Sequence, residues 1–377
     1  MARNHVLITG GAGFIGSFIA DALLERGHFV RVLDNLEPQV HGAGSDWPAY
    51  LSKDVERVKG DIRSLDDVSK ALKGIDVVFH EAALVGVGQS MYDVRRYVDI
   101  NELGSATVLQ GVLDHRDRIE KVLVASSMSN YGEGLCWSDA SGEFAPELRP
   151  ESQLARREWE ILCPKSGKLA QPRPTPETRP LAPSSIYSVS KASTEYQFLA
   201  IGRGHNIPTV AFRYFNVYGP RQALSNPYTG VAAIFAGRVL GGDAPLIFED
   251  GLQSRDFVHV SDIVQANLLG MEKSAGDYDV FNVGTGRQIS VLEVAELIIE
   301  KLGKKGKIAP QVVGKYRAGD IRHCYADISK IRRVLGYEPK VTVEQGYDEL
   351  IEWVRSQTAR NAGEQALGEL EKWKLVR

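Results

Sequence analysis

A glycine-rich turn near the start of the chain limits the fold more than any other feature of the sequence. Residues 9–16 read TGGAGFIG, so that Gly10, Gly13 and Gly16 lie between an apolar strand and an amphipathic helix. A side chain at the first or second glycine would block the tight turn and the approach of a pyrophosphate to the backbone, and the third lets helix and strand pack closely. In this context the turn predicts a dinucleotide-binding site, although the spacing alone is weak evidence.

An acidic residue after the next strand strengthens this prediction. Asp34 lies close to the offset at which dinucleotide-binding folds place the acid that accepts the adenosine ribose hydroxyls. A carboxylate there would repel a 2′-phosphate, so NAD is favoured over NADP. Asp61, in the sequence GDI after the third strand, is expected to address the adenine amino group, although an Asp at a strand end is also a common helix cap.

Strands and helices alternate along the first half of the chain. The predicted strands are 5–9, 29–34, 55–58, 76–79, 121–125 and 209–212, and the predicted helices include 65–72, 94–113 and 187–201. This alternation predicts an α/β fold, a Rossmann-type doubly wound parallel sheet with right-handed crossovers, followed by a smaller α+β C-terminal substrate lobe.

The length of 377 residues exceeds the usual size of a single hydrophobic core, so a cofactor domain and a smaller lobe are expected. The segments are predicted as follows: an NAD-binding domain over 1–215, interrupted by an irregular proline-rich insertion at 133–183; a return to that domain at 255–277; a substrate-binding lobe over 216–254 and 278–356; and a charged, loosely packed helical tail at 357–377.

The composition excludes several classes of partner. A formal charge of −3 gives no long-range attraction to nucleic acid or to an anionic membrane. The three cysteines are scattered without CxxC spacing, so we expect free thiols, no metal site and a reducing compartment. Glycines and charges interrupt every apolar run, and no cleavable signal precedes the first strand, which predicts a soluble, cytoplasmic protein.

A tyrosine and a lysine stand one helical turn apart. Tyr187 and Lys191, in YSVSK, would lie on one face of a helix. A nearby ammonium and an oxidised nicotinamide would lower the pKa of the phenol, which otherwise is about 10, so that it could deprotonate an alcohol. Because YxxxK is frequent by chance, the prediction also depends on SSMSNYG, residues 126–132, in which Ser127 would hold the sugar hydroxyl against Tyr187.

With these motifs the chain resembles the sugar-nucleotide epimerase/dehydratase family, the extended short-chain dehydrogenases, over nearly its whole length. The motifs that carry the resemblance are TGGAGFIG, the acid at Asp34, GDIR, HEAA, the asparagine at Asn101, SSMSNYG, YSVSK, RYFNVYGPRQ, RDFVHVSD and RAGD. The resemblance implies a catalytic trio of Ser127, Tyr187 and Lys191. It also implies NAD as cofactor, a nucleotide-diphosphate sugar as substrate, and a homodimer formed by the helices predicted at 94–113 and 187–201.

The resemblance further assigns binding residues. Residues expected at the cofactor, including those of the glycine turn, are Gly10, Gly13, Phe14, Ile15, Gly16, Asp34, Asn35, Asp61, Ile62, Ala82, Ala83, Asn101, Ser126, Tyr187, Lys191 and Tyr214. Residues expected at the substrate are Ser127, Ser129, Asn216, the arginines Arg255 and Arg317 at the diphosphate, Asp320 at the nucleotide ribose, and Cys324 as a size gate.

The residues after the catalytic serine favour one reaction within the family. Related 4,6-dehydratases follow this hydroxyl residue with Asp-Glu, whereas this chain has Met128 and Ser129, which cannot transfer those protons. With no obvious second proton-transfer group, the simplest chemistry is oxidation at C4, rotation of the 4-keto sugar and return of the same hydride. The sequence therefore favours a 4-epimerase.

Two alternatives stay open at this point: a net oxidoreductase acting on a keto-sugar, and a catalytically silent NAD-binding regulator. Within the family, the insertion and the stretch RQALSNPYTGVAAIF are more similar to 4-epimerases of dTDP-L-rhamnose than to the shorter 4-epimerases of UDP-galactose. The sugar and the base are otherwise not fixed by the sequence.

Overall fold

The structure is a computed structural model. It describes residues 3–42, 44, 46–224, 230–317, 319–357 and 362–377, with only the backbone described at 362–366. Residues 225–229, within the stretch RQALSNPYTGVAAIF, lie outside the described residues.

The strands, in chain order, are β1 His5–Thr9, β2 Phe29–Asp34, β3 Glu56–Lys59, β4 Val77–His80, β5 Lys121–Ser127, β6 Leu135–Ser138, β7 Gly142–Phe144, β8 Gln171–Arg173, β9 Thr209–Tyr214, β10 Asn216–Tyr218, β11 Leu246–Ile247, β12 Ser254–Arg255, β13 Phe257–His259, β14 Asp279–Val283, β15 Ile289–Ser290, β16 Gln311–Val312 and β17 His323–Cys324.

The helices, in chain order, are α1 Phe14–Glu25, α2 Pro38–His41, α3 Leu65–Leu72, α4 Val87–Ser90, α5 Val94–Tyr97, α6 Gly104–Asp114, α7 Glu151–Leu154, α8 Ile186–His205, α9 Val231–Gly241, α10 Val260–Glu272, α11 Val291–Lys301, α12 Ser329–Leu335, α13 Val343–Ser356 and α14 Ala362–Lys372. A π-helical segment, Val98–Leu103, joins α5 to α6, and 3₁₀ turns lie at Met128–Tyr131 and Ser274–Gly276.

The central element is a parallel sheet with the strand order β3-β2-β1-β4-β5-β9-β14. Apolar side chains cover both faces, and every residue of β5 is buried, which is why its central residues, 122–125, read as the apolar run VLVA. The chain moves outward from β1 to β3 and then returns to β4, so the strand order reverses between β1 and β4. A ligand crevice is expected beyond the carboxyl ends of these two strands. The predicted fold class is confirmed.

The substrate lobe has a hydrophobic core of its own. Helices α9, α11 and α13 bury a separate apolar cluster that includes Phe235, Ile298 and Leu350. The three-stranded sheet β15-β12-β17 borders the cavity described below. Strand β14 pairs with β9, so the large sheet extends past the boundary predicted at residue 277.

The insertion predicted as irregular contains regular structure. Strands β6, β7 and β8 form an antiparallel sheet, and α7 is held in place through buried contacts of Leu154 with Trp159 and Tyr316. The strands are only three or four residues long, too short for a periodic pattern to identify them. The expectation of an irregular segment is therefore wrong for this part of 133–183.

The predicted loosely packed tail also differs from the structure. Leu370 and Val376 are buried, Trp373 stacks on Tyr92 with 5.7 Å between ring centroids, and Arg317 pairs with Val376 as an antiparallel bridge. The C-terminal residues are thus packed on both the cofactor domain and the substrate lobe. In the described part of the chain, no helix is long and apolar enough to cross a membrane.

Candidate active site

One large cavity lies at the carboxyl ends of β1 and β4, where the strand order reverses. Its volume is about 700 Å³, and it extends from the glycine turn to the substrate lobe. Most of the predicted site residues lie along it. Those that line it are Gly10, Gly13, Phe14, Ile15, Gly16, Asp34, Asn35, Ile62, Ala82, Ala83, Ser126, Ser127, Ser129, Tyr187, Lys191, Tyr214, Asn216, Arg255, Arg317 and Asp320.

The glycine turn has the shape that a pyrophosphate needs. Gly10 has a φ of +69°, and a Cβ on it would lie 2.7 Å from the Ala82 Cα. A Cβ on Gly16 would lie 2.6 Å from the Gly10 carbonyl oxygen, which accounts for the close packing of α1 on the turn. Gly13 caps α1 without a side-chain hydrogen bond, so the first N–H groups of the helix are free to bind an anion. These residues fit a dinucleotide.

Asp34 holds the shape of this turn. Its carboxylate accepts hydrogen bonds from the Ala12 N–H at 3.0 Å and the Leu36 N–H at 2.9 Å. Burial raises the pKa of Asp34, and the Leu36 N–H, His41 and the Ala12 N–H oppose that rise. Each carboxylate oxygen retains a second lone pair, so ribose hydroxyls can still be accepted.

Asp61 and Asn101 do not line the cavity. The Asp61 carboxylate binds the Arg63 guanidinium at 2.8 Å and the Asn35 amide at 3.1 Å, and these contacts hold its pKa at about 2. Asn101 is buried in the π-helical segment, where its side chain bonds both the N–H and the carbonyl of Leu84. Asn101 therefore positions the loop that follows Ala83, and its own side chain does not line the cavity.

Tyr187 and Ser127 both line the cavity. A capping box of Ser185 and Ser188 starts helix α8 directly before the tyrosine, which fixes the direction of this side chain. Burial raises the pKa of Tyr187, and a hydrogen bond with the Ser127 hydroxyl lowers it. Ser127 in turn accepts hydrogen bonds from the N–H and the hydroxyl of Ser129, at 3.2 and 2.9 Å.

The neighbouring serine has a structural role. The Ser126 hydroxyl donates to Glu195 at 2.6 Å, and Glu195 also binds Arg213 at 2.6 Å. The Arg213 guanidinium lies over the Tyr131 ring at 4.8 Å from its centroid. This buried network fixes the end of β5 and so the position of Ser127.

Lys191 lies beside a carboxylate that sequence reasoning did not assign. Glu81 lies deep in the protein with one side open to the cavity, and it accepts a hydrogen bond from the Tyr214 hydroxyl at 3.0 Å. Burial lowers the pKa of Lys191 to about 8, against the opposing effect of Glu81, and burial raises the pKa of Glu81 to about 7. Glu81 is therefore an ionisable group in the cavity in addition to Ser127, Tyr187 and Lys191.

Glu81 could have been noticed from the sequence. It follows the apolar strand VVFH directly, in HEAA, and a charged residue at the carboxyl end of a buried parallel strand faces the ligand crevice. Its neighbour His80 is different: its ring is held between the Thr9 and Ser105 hydroxyls, and burial lowers its pKa to about 3, so it is neutral.

Two arginines lie at the substrate end of the cavity, one fixed by hydrogen bonds and the other exposed. Arg255 donates to the carbonyl of Ile321 at 2.7 Å and to the Asp320 carboxylate at 3.3 Å, which fixes its guanidinium. Arg317 is exposed and stacks on Phe248, with its guanidinium carbon 4.3 Å from the ring centroid. The side-chain oxygen of Asn216, at the same cavity, is buried and has no hydrogen-bond partner among the described residues. A polar ligand would satisfy it.

The predicted size gate does not lie on the cavity wall. Cys324 is buried behind it, with its sulfur 3.8 Å from the Thr175 hydroxyl, and burial raises the pKa of its thiol to about 12. Strand β17 pairs with β12 in a register that sets Cys324 opposite Arg255, whose side chain lines the cavity instead. The three cysteines are free thiols, as predicted.

Two segments that were not predicted to contact a ligand also line the cavity. Leu367, Leu370 and Leu375 of the C-terminal segment line the cavity opposite an apolar loop, Val85–Met91. The only signal in the sequence is the spacing of three leucines within a charged tail. The two segments are in close contact, since a Cβ at position 88 would lie 2.9 Å from the Leu370 Cδ2.

The sheet order, the glycine turn that opens α1, the acid after β2 and the cavity at the strand-order reversal together define a Rossmann-type dinucleotide-binding enzyme. Residues 6–155 match the NAD dependent epimerase/dehydratase family, and residues 167–350 match a family described as GDP-mannose 4,6 dehydratase.

Known proteins resemble the chain over nearly its full length. A dTDP-L-rhamnose 4-epimerase of Burkholderia thailandensis is 32% identical over 95% of this chain and 96% of its own. The structure of a Thermotoga maritima UDP-glucose 4-epimerase with UDP-glucose has a TM-score of 0.74 and 32% identity, and the match covers 93% of this chain and 99% of that one. For a Thermus thermophilus UDP-glucose 4-epimerase in complex with NAD, the TM-score is 0.73, the identity 30% and the coverage 94% and 100%.

The chain therefore belongs to the NAD dependent epimerase/dehydratase family and is an NAD-dependent sugar-nucleotide epimerase. The predicted family and the predicted cofactor are confirmed. The individual site residues, the domain boundaries and the homodimer stay predictions.

Proposed function

We propose that the enzyme inverts C4 of a nucleotide-linked hexose through a 4-keto intermediate, with Ser127, Tyr187 and Lys191 as its catalytic residues. The observation that carries the proposal is that Ser127, Tyr187 and Lys191 line the same cavity as the glycine turn. Lys191 lies one helical turn from the tyrosine on the same face of α8.

Each catalytic residue has a separate task. Tyr187 takes the proton of the C4 hydroxyl and gives it back to the C4 oxygen after inversion. Ser127, itself fixed by Ser129, holds the C4 oxygen by a hydrogen bond. Lys191 orients the nicotinamide ribose and lowers the pKa of the tyrosine. Bound NAD supplies the site that accepts the C4 hydride and from which the same hydride returns.

The residues that would hold the cofactor line the cavity at the carboxyl ends of the strands. The first N–H groups of α1 would bind the pyrophosphate, and Asp34 and Asn35 would bind the adenosine ribose. Ile62, Ala82 and Ala83 contact the adenine and the ribose, and Tyr214 lies at the nicotinamide end. Asn101 and Asp61 would act indirectly on the cofactor site. Asn101 holds the Leu84 backbone, and Asp61 holds the Asn35 side chain.

The residues proposed to bind the diphosphate of the substrate lie at the substrate-lobe end of the cavity. Arg255 is half-buried and held by its hydrogen bonds, Arg317 is exposed at the same cavity, and Asn216 supplies an unsatisfied acceptor oxygen there. Asp320 is then near enough to receive the nucleotide ribose hydroxyls. A weakly acidic protein needs such local cations to hold a doubly charged ligand.

The residues beside Ser127 argue for inversion over loss of water. Met128 is buried and apolar, and the Ser129 hydroxyl is engaged with Ser127. Glu81 is the remaining acid near the reacting centre, and the Tyr214 hydroxyl occupies one of its oxygens. In D₂O, simple inversion leaves every sugar carbon free of deuterium, whereas proton removal by Glu81 next to the 4-keto group would introduce it.

We propose dTDP-L-rhamnose, or a related dTDP- or UDP-hexose, as the substrate. The wall formed by Leu367, Leu370 and Leu375, facing Val85 and Met91, is apolar, which suits a 6-deoxy sugar with a methyl group in place of a hydroxymethyl group. The similarity to a dTDP-L-rhamnose 4-epimerase supports the same choice.

The experiment is an incubation of the purified protein, without added NAD, with dTDP-L-rhamnose, UDP-glucose and UDP-galactose in separate samples. The sugar is followed by proton NMR and NADH by absorbance. Inversion at C4 without net NADH is expected, fastest with dTDP-L-rhamnose. Stoichiometric release of NADH would instead identify a keto-sugar oxidoreductase, and faster turnover of UDP-glucose would identify a UDP-hexose epimerase.

A further inference from the structure

Glu81 is fixed in the cavity by a chain of hydrogen bonds from three elements. Its carboxylate follows β4 and accepts from the hydroxyl of Tyr214 at the end of β9, at 3.0 Å. That hydroxyl accepts in turn from the Asn267 amide of α10 at 2.7 Å. The carboxylate therefore has a defined position in the wall of the cavity that Lys191 also lines.

The other carboxylates that line the cavity already have partners. Glu37 binds Arg96 at 2.8 Å, Asp320 binds Arg255 at 3.3 Å, and Asp34 accepts two backbone N–H groups at the glycine turn. All three lie toward the ends of the cavity, at the adenosine side or the substrate lobe. Glu81 is thus the carboxylate of the cavity that lies close enough to Lys191 to interact with it electrostatically.

Two positive charges meet at this place when the cofactor is bound. The Lys191 ammonium and the oxidised nicotinamide ring repel each other, and burial disfavours the ammonium further. Without a compensating anion, Lys191 would lose its proton near neutral pH, and Tyr187 would lose the charge that makes it acidic.

We propose that Glu81 is a positioning residue that supplies this anion and keeps Lys191 protonated beside Tyr187. The proposal rests on the proposed function only through the roles given to Tyr187 and Lys191. Removing a unit charge from the neighbourhood of an ionisable group typically changes the pKa of that group by roughly one unit.

The other titratable groups around Glu81 do not supply this charge. Tyr214, from β9, stays a neutral phenol because burial and the Glu81 charge raise its pKa well above 10. His80, on β4 itself, is neutral because burial lowers its pKa to about 3. From α8, Lys191 interacts electrostatically with the carboxylate, and it is the group whose ionisation Glu81 affects.

The first test measures Lys191 directly, without cofactor or substrate. NAD-free protein is acetylated with trace acetic anhydride over a range of pH, and the Lys191 peptide is quantified by mass spectrometry. In Glu81→Gln the Lys191 titration is expected about one pH unit lower than in the wild type, and in Glu81→Asp it returns toward the wild-type value. Glu120→Gln, an exposed carboxylate at the opposite end of β5, is the matched charge control and leaves it unchanged.

The second test is the pH profile of kcat/KM. Loss of the negative charge lowers the pKa of Lys191, so the alkaline limb of the bell, where Lys191 loses its proton, is expected to shift to lower pH in Glu81→Gln. A residue needed only for packing would lower the rate at every pH and move neither limb. An unchanged Lys191 titration in a folded Glu81→Gln protein overturns the proposal. Absence of any sugar inversion by the wild type overturns the proposed function alone, since the acetylation result does not depend on it.

Discussion

The pKa of Tyr187 is the central difficulty at the scale of single residues. Burial raises it, and a phenol with a pKa above 10 is a poor base at neutral pH. The hydrogen bond from Ser127 opposes the rise, but the larger correction must come from positive charge. Lys191 and the oxidised cofactor provide that charge, which is why the tyrosine is effective only in the loaded site.

Tyr187→Phe removes the group that exchanges the C4 proton while it keeps the aromatic ring that packs against Tyr97. We expect kcat to fall by about 10²- to 10⁴-fold, the usual contribution of a positioned acid or base. NAD content, measured in the denatured protein, should match that of the wild type. A variant with normal turnover would refute the assigned base.

The sequence predicted which residues line the cavity where a motif specifies both the residue type and its position in a strand or helix. Ser127, Tyr187 and Lys191 do meet in one cavity, because a strand end and a helix face fix them. Asn101 and Cys324 were placed at ligands by resemblance, yet both are buried one layer behind. Sequence position cannot tell a side chain that faces the cavity from one that faces away, since this depends on strand register and on the π-helical turn.

At the scale of elements, the insertion is tied to the substrate lobe by a buried cluster of charges. Arg322 is fully buried and binds Glu249 at 2.8 Å, Asp250 at 2.7 Å and Glu160 at 2.5 Å. Arg149 of the insertion binds Glu249 at 2.9 Å and donates to the Asp320 carbonyl at 3.1 Å. The insertion therefore supports the loop that carries the diphosphate-binding residues.

Arg322→Met tests this support. Three carboxylates would lose their shared cation in a buried site, which costs about 3 to 5 kcal/mol in the free energy of unfolding. The control is Arg156→Met, because Arg156 pairs with Glu158 on the surface and its loss should leave the Tm close to that of the wild type. Thermal melts compare the two. Equal Tm values for both variants would contradict the structural role of the cluster.

The C-terminal helix is the second element with a predicted effect. Leu370→Ala removes a buried side chain from the cavity wall, so we expect KM for the nucleotide sugar to rise roughly ten-fold. NAD content should not change. Leu169→Ala makes the same substitution at an exposed site that does not line the cavity, and steady-state kinetics should not distinguish it from the wild type. A KM that is unaffected by Leu370→Ala would exclude this wall from substrate binding.

The elements of the large sheet were predictable because buried parallel strands are continuous apolar runs and their helices have a clear apolar period. The predicted helix at 65–72 agrees with α3, and the strands agree to within a few residues. The three strands of the insertion were missed because they are short and follow no alternation. The packing of α14 was missed because its contacts are to residues far away in the sequence.

At the scale of the whole molecule, two helical segments carry apolar side chains that the described part of the chain leaves exposed. Val94, Val98 and Leu103 are exposed on the first, and Val189 and Tyr196 on α8, with Leu103 55% and Tyr196 58% exposed. The two segments pack side by side, so these residues form a patch that suits a second copy of the chain. We propose a homodimer through this face.

Leu103→Glu introduces a charge into that patch. We expect the dimer to dissociate, with the mass measured by light scattering after gel filtration falling to that of the 41.5 kDa chain. Leu169→Glu, at an exposed leucine away from the patch, should leave the dimer intact. A wild-type protein that is monomeric at micromolar concentration, or a Leu103→Glu variant that stays dimeric, would contradict this interface.

The central claim is that Tyr187 and the bound cofactor remove a hydrogen from C4 of the sugar and return the same hydrogen to the other face. The most direct measurement uses a nucleotide sugar that carries deuterium at C4, incubated in ordinary water without added NAD. Mass spectrometry and NMR of the product are predicted to show inverted configuration with the deuterium still at C4. Loss of the deuterium to solvent, its appearance at another carbon, or its accumulation in released NADH would contradict the account.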